Sequence, residues 1–207
     1  MKNKIPTMTA FTVEKEVFEA MLEKDLSEKM KSVVVSYEGF RRRAYIDTTG
    51  HKTIGIGFNL DRPGASAFLR DCGVLDVSGV CSGVASLTTE QINLIYLRTF
   101  TDCVFSARRR VKNFDDLPEI VRGIVADMIF NMGEGAFSRF RRLIAALERD
   151  ELGTAADEMM KSSWGKKSNR ARQYVPMMRL VADGIEELLK PAVIEAMKWH
   201  KKPEDEK

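Results

Sequence analysis

The chain has 207 residues, 44% of them hydrophobic and 30% charged, with a formal net charge of +3. That balance excludes a largely disordered chain, allows one substantial core or two small lobes sharing a helix, and suits an anionic polymer as partner without requiring one. It speaks against nucleic acid, because the clusters Arg41 to Arg43, Arg108 to Arg110, and Arg139 with Arg141 and Arg142 lack interleaved stacking aromatics and any base-reading motif.

The N-terminus opens with Lys2 and Lys4 but shows no apolar stretch of signal-peptide length, and no run reaches the ~18 residues of a membrane span. Synthesis in the cytoplasm without stable membrane insertion is the expectation. Within Val13 to Leu26, residues Val13, Val17, Phe18, Met21 and Leu22 share one helical face. A second helix is expected from Met30, Val33, Val34 and Tyr37, ending at Gly39. Strand signals follow at Ala44 to Ile46 and at Lys52 to Phe58, separated by a turn at Asp47 to Gly50. In the second strand Ile54, Ile56 and Phe58 alternate with Thr53, Gly55 and Gly57, which predicts a small antiparallel hairpin or three-stranded sheet.

Between 61 and 87, Pro63, several glycines and scattered apolar residues predict a short helix near Ala65 to Arg70 and then an irregular, inserted loop. Thr88 and Gln91 form a capping-box pattern, with Leu87 placed to staple onto Ile92, and open a helix running to about Ala107 with Cys103 on its core face. Asp116 and Pro118 start the next helix. Its apolar set, Ile120, Val121, Ile124, Val125, Met128, Ile129 and Met132, is wide enough to require a central, buried position. Helices are then expected at Phe137 to Leu147, Thr154 to Lys161, Ser168 to Val175 and Met177 to Leu189, and a frayed tail after Trp199.

Cys72, Cys81 and Cys103 have no metal-ligand spacing, and His51 and His200 are the only histidines, so neither a zinc site nor another metal or cofactor is expected. Three free thiols are preferred to a Cys72 and Cys81 pair, which would need an oxidising compartment. The elements predict an α+β, mostly helical fold: an N-terminal helical extension at 1–29, a main domain at 30–190, and a tail at 191–207. Within the domain, a small β-containing lobe at 38–65 and a helical lobe at 88–190 leave a cleft between them.

That cleft gives the polar residues of the hairpin a possible task. Glu38 falls in the last turn of its helix, beside carbonyl ends of partial negative charge, which suits a proton-holding acid. Asp47 begins a wet turn and should be ionised. Thr53 shares a strand face with Gly55 and Gly57, whose missing side chains leave an open floor for a sugar ring. Two carboxyl groups in contrasting surroundings are what glycosidic cleavage requires. Spacing alone leaves ordinary surface residues of a hairpin as the alternative.

The segment EGFRRRAYIDTTGHKTIGIG closely resembles the phage-type lysozymes, the T-even phage group of glycoside hydrolase family 24. The similarity continues through MIFNMGEGAFSRF, AADEMMKSSW and SNRARQYV, in family order, over about residues 30 to 185. The resemblance implies a lysozyme-like fold and a muramidase that hydrolyses the β-1,4 bond between N-acetylmuramic acid and N-acetylglucosamine of peptidoglycan, with inversion. Glu38 then matches the proton donor, Asp47 the second carboxylate, and Thr53 the threonine that helps place the attacking water. Their carboxyl groups should lie in the wide class, about 6.5 to 9.5 Å apart. Arg170 matches the arginine that pairs with the acid. Gly57, Phe130, Asn131 and, with them, Arg170 are the expected substrate-binding residues, with a core aromatic equally open for Phe130, and Trp164 matches a core tryptophan.

Three features depart from the pattern: Phe58 stands where a histidine often follows TIGIG, at the expected cost of a structural ion pair; the 70–87 segment is longer; and both ends are extended. The implied role is an endolysin, a monomer that leaves the host cytoplasm to act on the wall. A virion-associated lysozyme, docked to phage particle proteins through the N-terminal segment, and an inactive wall-binding module are the alternatives.

Overall fold

The computed structural model describes residues 10–185. The expected tail, the end of the Met177 to Leu189 helix, the first nine residues, and the side chains of the Val13 to Leu22 face lie outside that description.

One helix, α1 (Ala10–Glu38), replaces the two expected at the N-terminus. No glycine or proline interrupts the polar stretch between the two apolar faces, and tertiary contacts hold it helical. Leu26 and Ser27 are buried, and Tyr96 donates its hydroxyl proton to the Ser27 carbonyl at 2.9 Å. Lys29 bridges Asp25 at 2.7 Å and Glu119 at 2.9 Å. The helix ends where Gly39 turns left-handed (φ 76°) and its N–H caps the Val35 carbonyl at 2.8 Å. This stop places Glu38 at the mouth of the β lobe.

Strands β1 (Arg41–Ile46), β2 (Lys52–Gly55) and β3 (Phe58–Asn59) form an antiparallel sheet in that order. Tyr45 pairs with Thr53 and Ile46 with Lys52. β1 begins earlier than expected because its exposed arginines occupy a sheet edge, where charge discourages further strand pairing. The Leu87 N–H covers part of that edge by donating to the Arg42 carbonyl at 2.8 Å. The expected continuous strand from Lys52 to Phe58 is broken at Gly55 (φ 67°) and Gly57 (φ 69°), so the simple alternation fails there. A Cβ on Gly55 would meet the Ile92 side chain at 3.5 Å; this glycine packs on a helix and is not part of an open floor.

The segment read as an irregular loop after residue 70 carries structure. α2 (Ala65–Asp71) is followed by α3 (Val77–Ser82), capped by the Asp76 carboxylate on the Gly79 N–H at 2.8 Å. Cys72, Val74, Val77 and Val80 bury its inner side. Phe58 is buried and stacks on Phe68 with ring centroids 5.2 Å apart. The Arg62 guanidinium lies 4.5 Å and 4.7 Å from those two centroids, so aromatic stacking and cation–π attraction fill this corner.

The capping box is present at α4 (Thr89–Arg110): Gln91 N–H donates to Thr88 Oγ1 at 3.1 Å and Thr88 N–H to Gln91 Oε1 at 3.0 Å. A 3₁₀ turn (Phe114–Asp116) leads into α5 (Glu119–Met132), which is buried without a break from Gly123 to Ile129, as its wide apolar face requires. α6 (Glu134–Phe137), α7 (Arg141–Glu148), α8 (Leu152–Lys161), α9 (Ser163–Lys167) and α10 (Asn169–Ala182) complete the helical lobe. α10 merges the two helices expected at Ser168 and Met177. Pro176 does not stop it because Pro176 and Arg172, whose carbonyl loses its partner, are both exposed, and water can take the lost bond. Among the described residues no helix is long and apolar enough to cross a membrane. The result is an α+β, lysozyme-like arrangement with a small sheet set against a larger helical lobe.

Candidate active site

Asp47 opens the turn between β1 and β2. Its Oδ1 accepts three hydrogen bonds: from the Thr49 N–H at 2.8 Å, the Thr49 hydroxyl at 2.8 Å and the His51 N–H at 2.9 Å. The His51 N–H, then the Thr49 hydroxyl, hold this carboxyl below the usual aspartate range, so it is ionised at neutral pH. The two oxygens are unequal. Oδ1 is saturated by the turn, whereas among the described residues Oδ2 has only a long contact, 3.4 Å from Thr53 Oγ1.

Thr53 is buried on β2. Its hydroxyl also lies 3.3 Å from the His51 carbonyl, and its single proton can serve only one of two weak acceptors. A water molecule could therefore be held between Thr53 Oγ1 and Asp47 Oδ2 without displacing a strong bond. Opposite Thr53 in the register, and two residues before Asp47, Tyr45 presents its side chain on the same sheet face. Burial raises the Tyr45 phenol first, and the charges of both Glu38 and Asp47 add to the rise. One ring thus feels both carboxyl groups, and nothing in the composition singled Tyr45 out.

Glu38 reaches this region from the end of α1. A Cβ on Gly57 would sit 3.0 Å from Glu38 Cγ, Cδ and Oε2, so the bare backbone of the β2 to β3 turn forms one wall of the acid's pocket. On the other side, Arg170 Nη2 donates to Glu38 Oε1 at 2.7 Å. The Arg170 guanidinium also stacks 4.6 Å from the Tyr37 ring centroid. Its Nε lies 2.9 Å from Asp127 Oδ2, an ion pair whose N–H does not point along the contact. Tyr174 completes the arrangement by donating to the same Asp127 oxygen at 2.6 Å. Asp127 and Tyr174 were not legible as site residues, since each sits in an apolar helical pattern.

Glu38, Gly57 and Arg170 thus meet at the end of α1, Asp47 and Thr53 meet at the β1 to β2 turn, and the Tyr45 ring lies near enough to feel the charge of both carboxyl groups. The family model described as phage lysozyme matches residues 35–176, more than half of the chain and all of these positions. The chain belongs to the phage lysozyme family. It is therefore a lysozyme, a muramidase-type glycoside hydrolase whose substrate is peptidoglycan.

Elsewhere in this lysozyme, the helical lobe supplies Phe130 and Asn131 at the end of α5. Phe130 joins an aromatic cluster, 6.2 Å from the Tyr96 centroid and 5.9 Å from that of Phe100. Asn131 is exposed and its Oδ1 accepts from the Trp164 indole at 2.9 Å. Trp164 is more than the core residue expected: half-buried, it also lines a groove of about 750 Å³ with Met132, Phe140, Arg141, Arg142 and Lys161. That groove lies beside Asn131 and does not include Glu38.

The Gly57 contact is directly testable. Gly57→Ala should lose about 10²-fold in the clearing of peptidoglycan, because its methyl group pushes the Glu38 carboxyl out of line, and about 1–2 kcal/mol of stability from the left-handed backbone. Turbidity assays and thermal unfolding check both, and wild-type clearing would contradict the placement.

Proposed function

We propose that this lysozyme hydrolyses the β-1,4 bond between N-acetylmuramic acid and N-acetylglucosamine in a single displacement. Glu38 gives its proton to the glycosidic oxygen as the bond from muramic acid C1 breaks. A water molecule held by Asp47 Oδ2 and Thr53 Oγ1 attacks C1 from the opposite face and gives its proton to Asp47. The products are a new hydroxyl on N-acetylglucosamine, a reducing muramic acid of inverted configuration, ionised Glu38 and protonated Asp47; solvent resets the two protons. Room for the water requires a carboxyl separation of about 6.5 to 9.5 Å. Gly57 and Asn131 would border the bound sugars, while Arg170 would orient the acid and not touch substrate.

The observation that supports this reading best is the asymmetry of Asp47, with one oxygen tied by the turn and the other left beside Thr53. Proton NMR of the first turnovers should show the α-anomer of the new reducing end before mutarotation. A β-anomer would replace inversion by a covalent or substrate-assisted route.

As biological role we infer an endolysin, made in the host cytoplasm and released to the wall to end infection as a monomer without nucleic-acid partners. The continuous helix α1, which runs from Ala10 ahead of the matched region, favours a second reading, a lysozyme docked in the virion by that helix. Mass spectrometry of purified particles separates them: the endolysin is absent from the virion. An inactive binding module is disfavoured by the retained trio Glu38, Asp47 and Thr53.

A further inference from the structure

A third carboxyl group, Asp127, lies on the far side of Arg170 from Glu38, and the displacement assigns it no task. It is fully buried in the middle of α5 and, among the described residues, shares its one ion-pair partner, Arg170, with Glu38. We infer that Asp127 is a positioning residue for the acid: from the buried side it anchors Arg170 and draws on its charge, so that Glu38 meets only part of that charge. The inference rests on the reading of Glu38 as the proton donor.

The geometry gives the reason. Arg170 Nη2 is 2.7 Å from Glu38 Oε1, and Arg170 Nε is 2.9 Å from Asp127 Oδ2. An arginine that faced Glu38 alone would hold the acid ionised and oppose proton donation. With a second carboxylate on its far side, one positive charge is divided between two negative ones. Tyr174 ties Asp127 in turn through its 2.6 Å hydrogen bond, and Asp127 Oδ1 has no partner among the described residues.

The groups packed around Asp127 leave few other charges to consider. α1 presents Tyr37 and Glu38, α4 presents Tyr96 and Cys103, and α10 presents Arg170 and Tyr174. Burial pushes the Tyr37 phenol and the Cys103 thiol up to about 12, and raises Tyr96 and Tyr174 as well. All four are neutral at working pH. Burial also raises Asp127 itself, against the pull of Arg170 and the Tyr174 hydroxyl. Among the described residues, Arg170 and Glu38 are then the charged groups that act on Asp127.

Carboxyl ¹³C NMR titration of the full chain tests this without requiring turnover. In Asp127→Asn, an isosteric neutral side chain, the whole guanidinium charge falls on Glu38. Its titration midpoint should drop by about one pH unit, and the alkaline limb of the clearing rate should move down with it. Tyr174→Phe removes the hydrogen bond that favours ionised Asp127, so the Glu38 midpoint should move the same way by less. An unchanged midpoint in folded Asp127→Asn, with activity lowered equally at every pH, would overturn the inference and leave a structural role. Should Asp127→Asn fail to fold, Tyr174→Phe decides alone by the same readout. A wild-type chain that releases no glycan while these midpoints still shift would refute the proposed function and leave the charge sharing standing.

Discussion

Glu38→Gln should release new glycan ends about 10² to 10⁴ times more slowly than the wild type, the usual size of a general-acid contribution. The amide matches the carboxyl in shape and can still accept from Arg170 Nη2, which lies 2.7 Å from Oε1 in the wild type. It has no proton to give to the departing sugar oxygen. Stability should move by only about 1 kcal/mol, because the glutamine oxygen keeps the hydrogen bond from Arg170 and loses only its charge assistance. Arg170 also keeps Asp127 as a partner. Initial rates on purified peptidoglycan, with denaturant unfolding alongside, separate these effects. Retention of more than about a tenth of the rate would remove Glu38 from the role of acid.

Arg170→Met should act on the fold as much as on the rate. Arg170 is 6% exposed and Asp127 0%, so methionine leaves a buried carboxylate with, among the described residues, only the Tyr174 hydroxyl, at an expected cost of about 3–5 kcal/mol. The loss should depend on pH in a determined sense. Burial already raises Asp127 in the folded state, and Arg170 is the largest influence holding it down. Its removal raises the folded value further while the unfolded value stays ordinary. Between the two the folded state binds more protons, so stability falls as pH rises through that window. The variant should therefore be nearer to the wild type in mild acid than at neutral pH. Adding Asp127→Asn to Arg170→Met should recover stability at neutral pH. A loss of equal size at every pH would mean that the damage is packing alone.

Local signals were legible where local physics decides. Thr88 and Gln91 announce the start of α4, and both reciprocal hydrogen bonds form. The turn residues Asp47 to Gly50 mark the hairpin, and Gly39 the end of α1, so the backbone positions of Glu38, Asp47 and Thr53 follow from short-range chemistry. Tertiary contacts overrode it elsewhere. The polar stretch around Ser27 looks like a break between helices until Tyr96 is brought to its carbonyl. Pro176 looks like a stop, yet faces water. In the 70–87 segment Gly73, Gly79 and Gly83 interrupt the apolar pattern, and its order comes from Cys72, Val74, Val77 and Val80 packing inward. Asp127 could not be read as a partner of Arg170 because they lie on different helices, α5 and α10, and meet only when these pack.

The chemistry of the newly made chain ends tests the central claim most directly. Peptidoglycan digested to completion, reduced with borohydride and separated by mass spectrometry should carry muramitol at every new terminus, as hydrolysis at C1 of muramic acid requires. Termini closed as 1,6-anhydro sugars, or no new termini from a preparation that still binds the wall, would contradict an acid at Glu38 working across from a water held by Asp47 and Thr53.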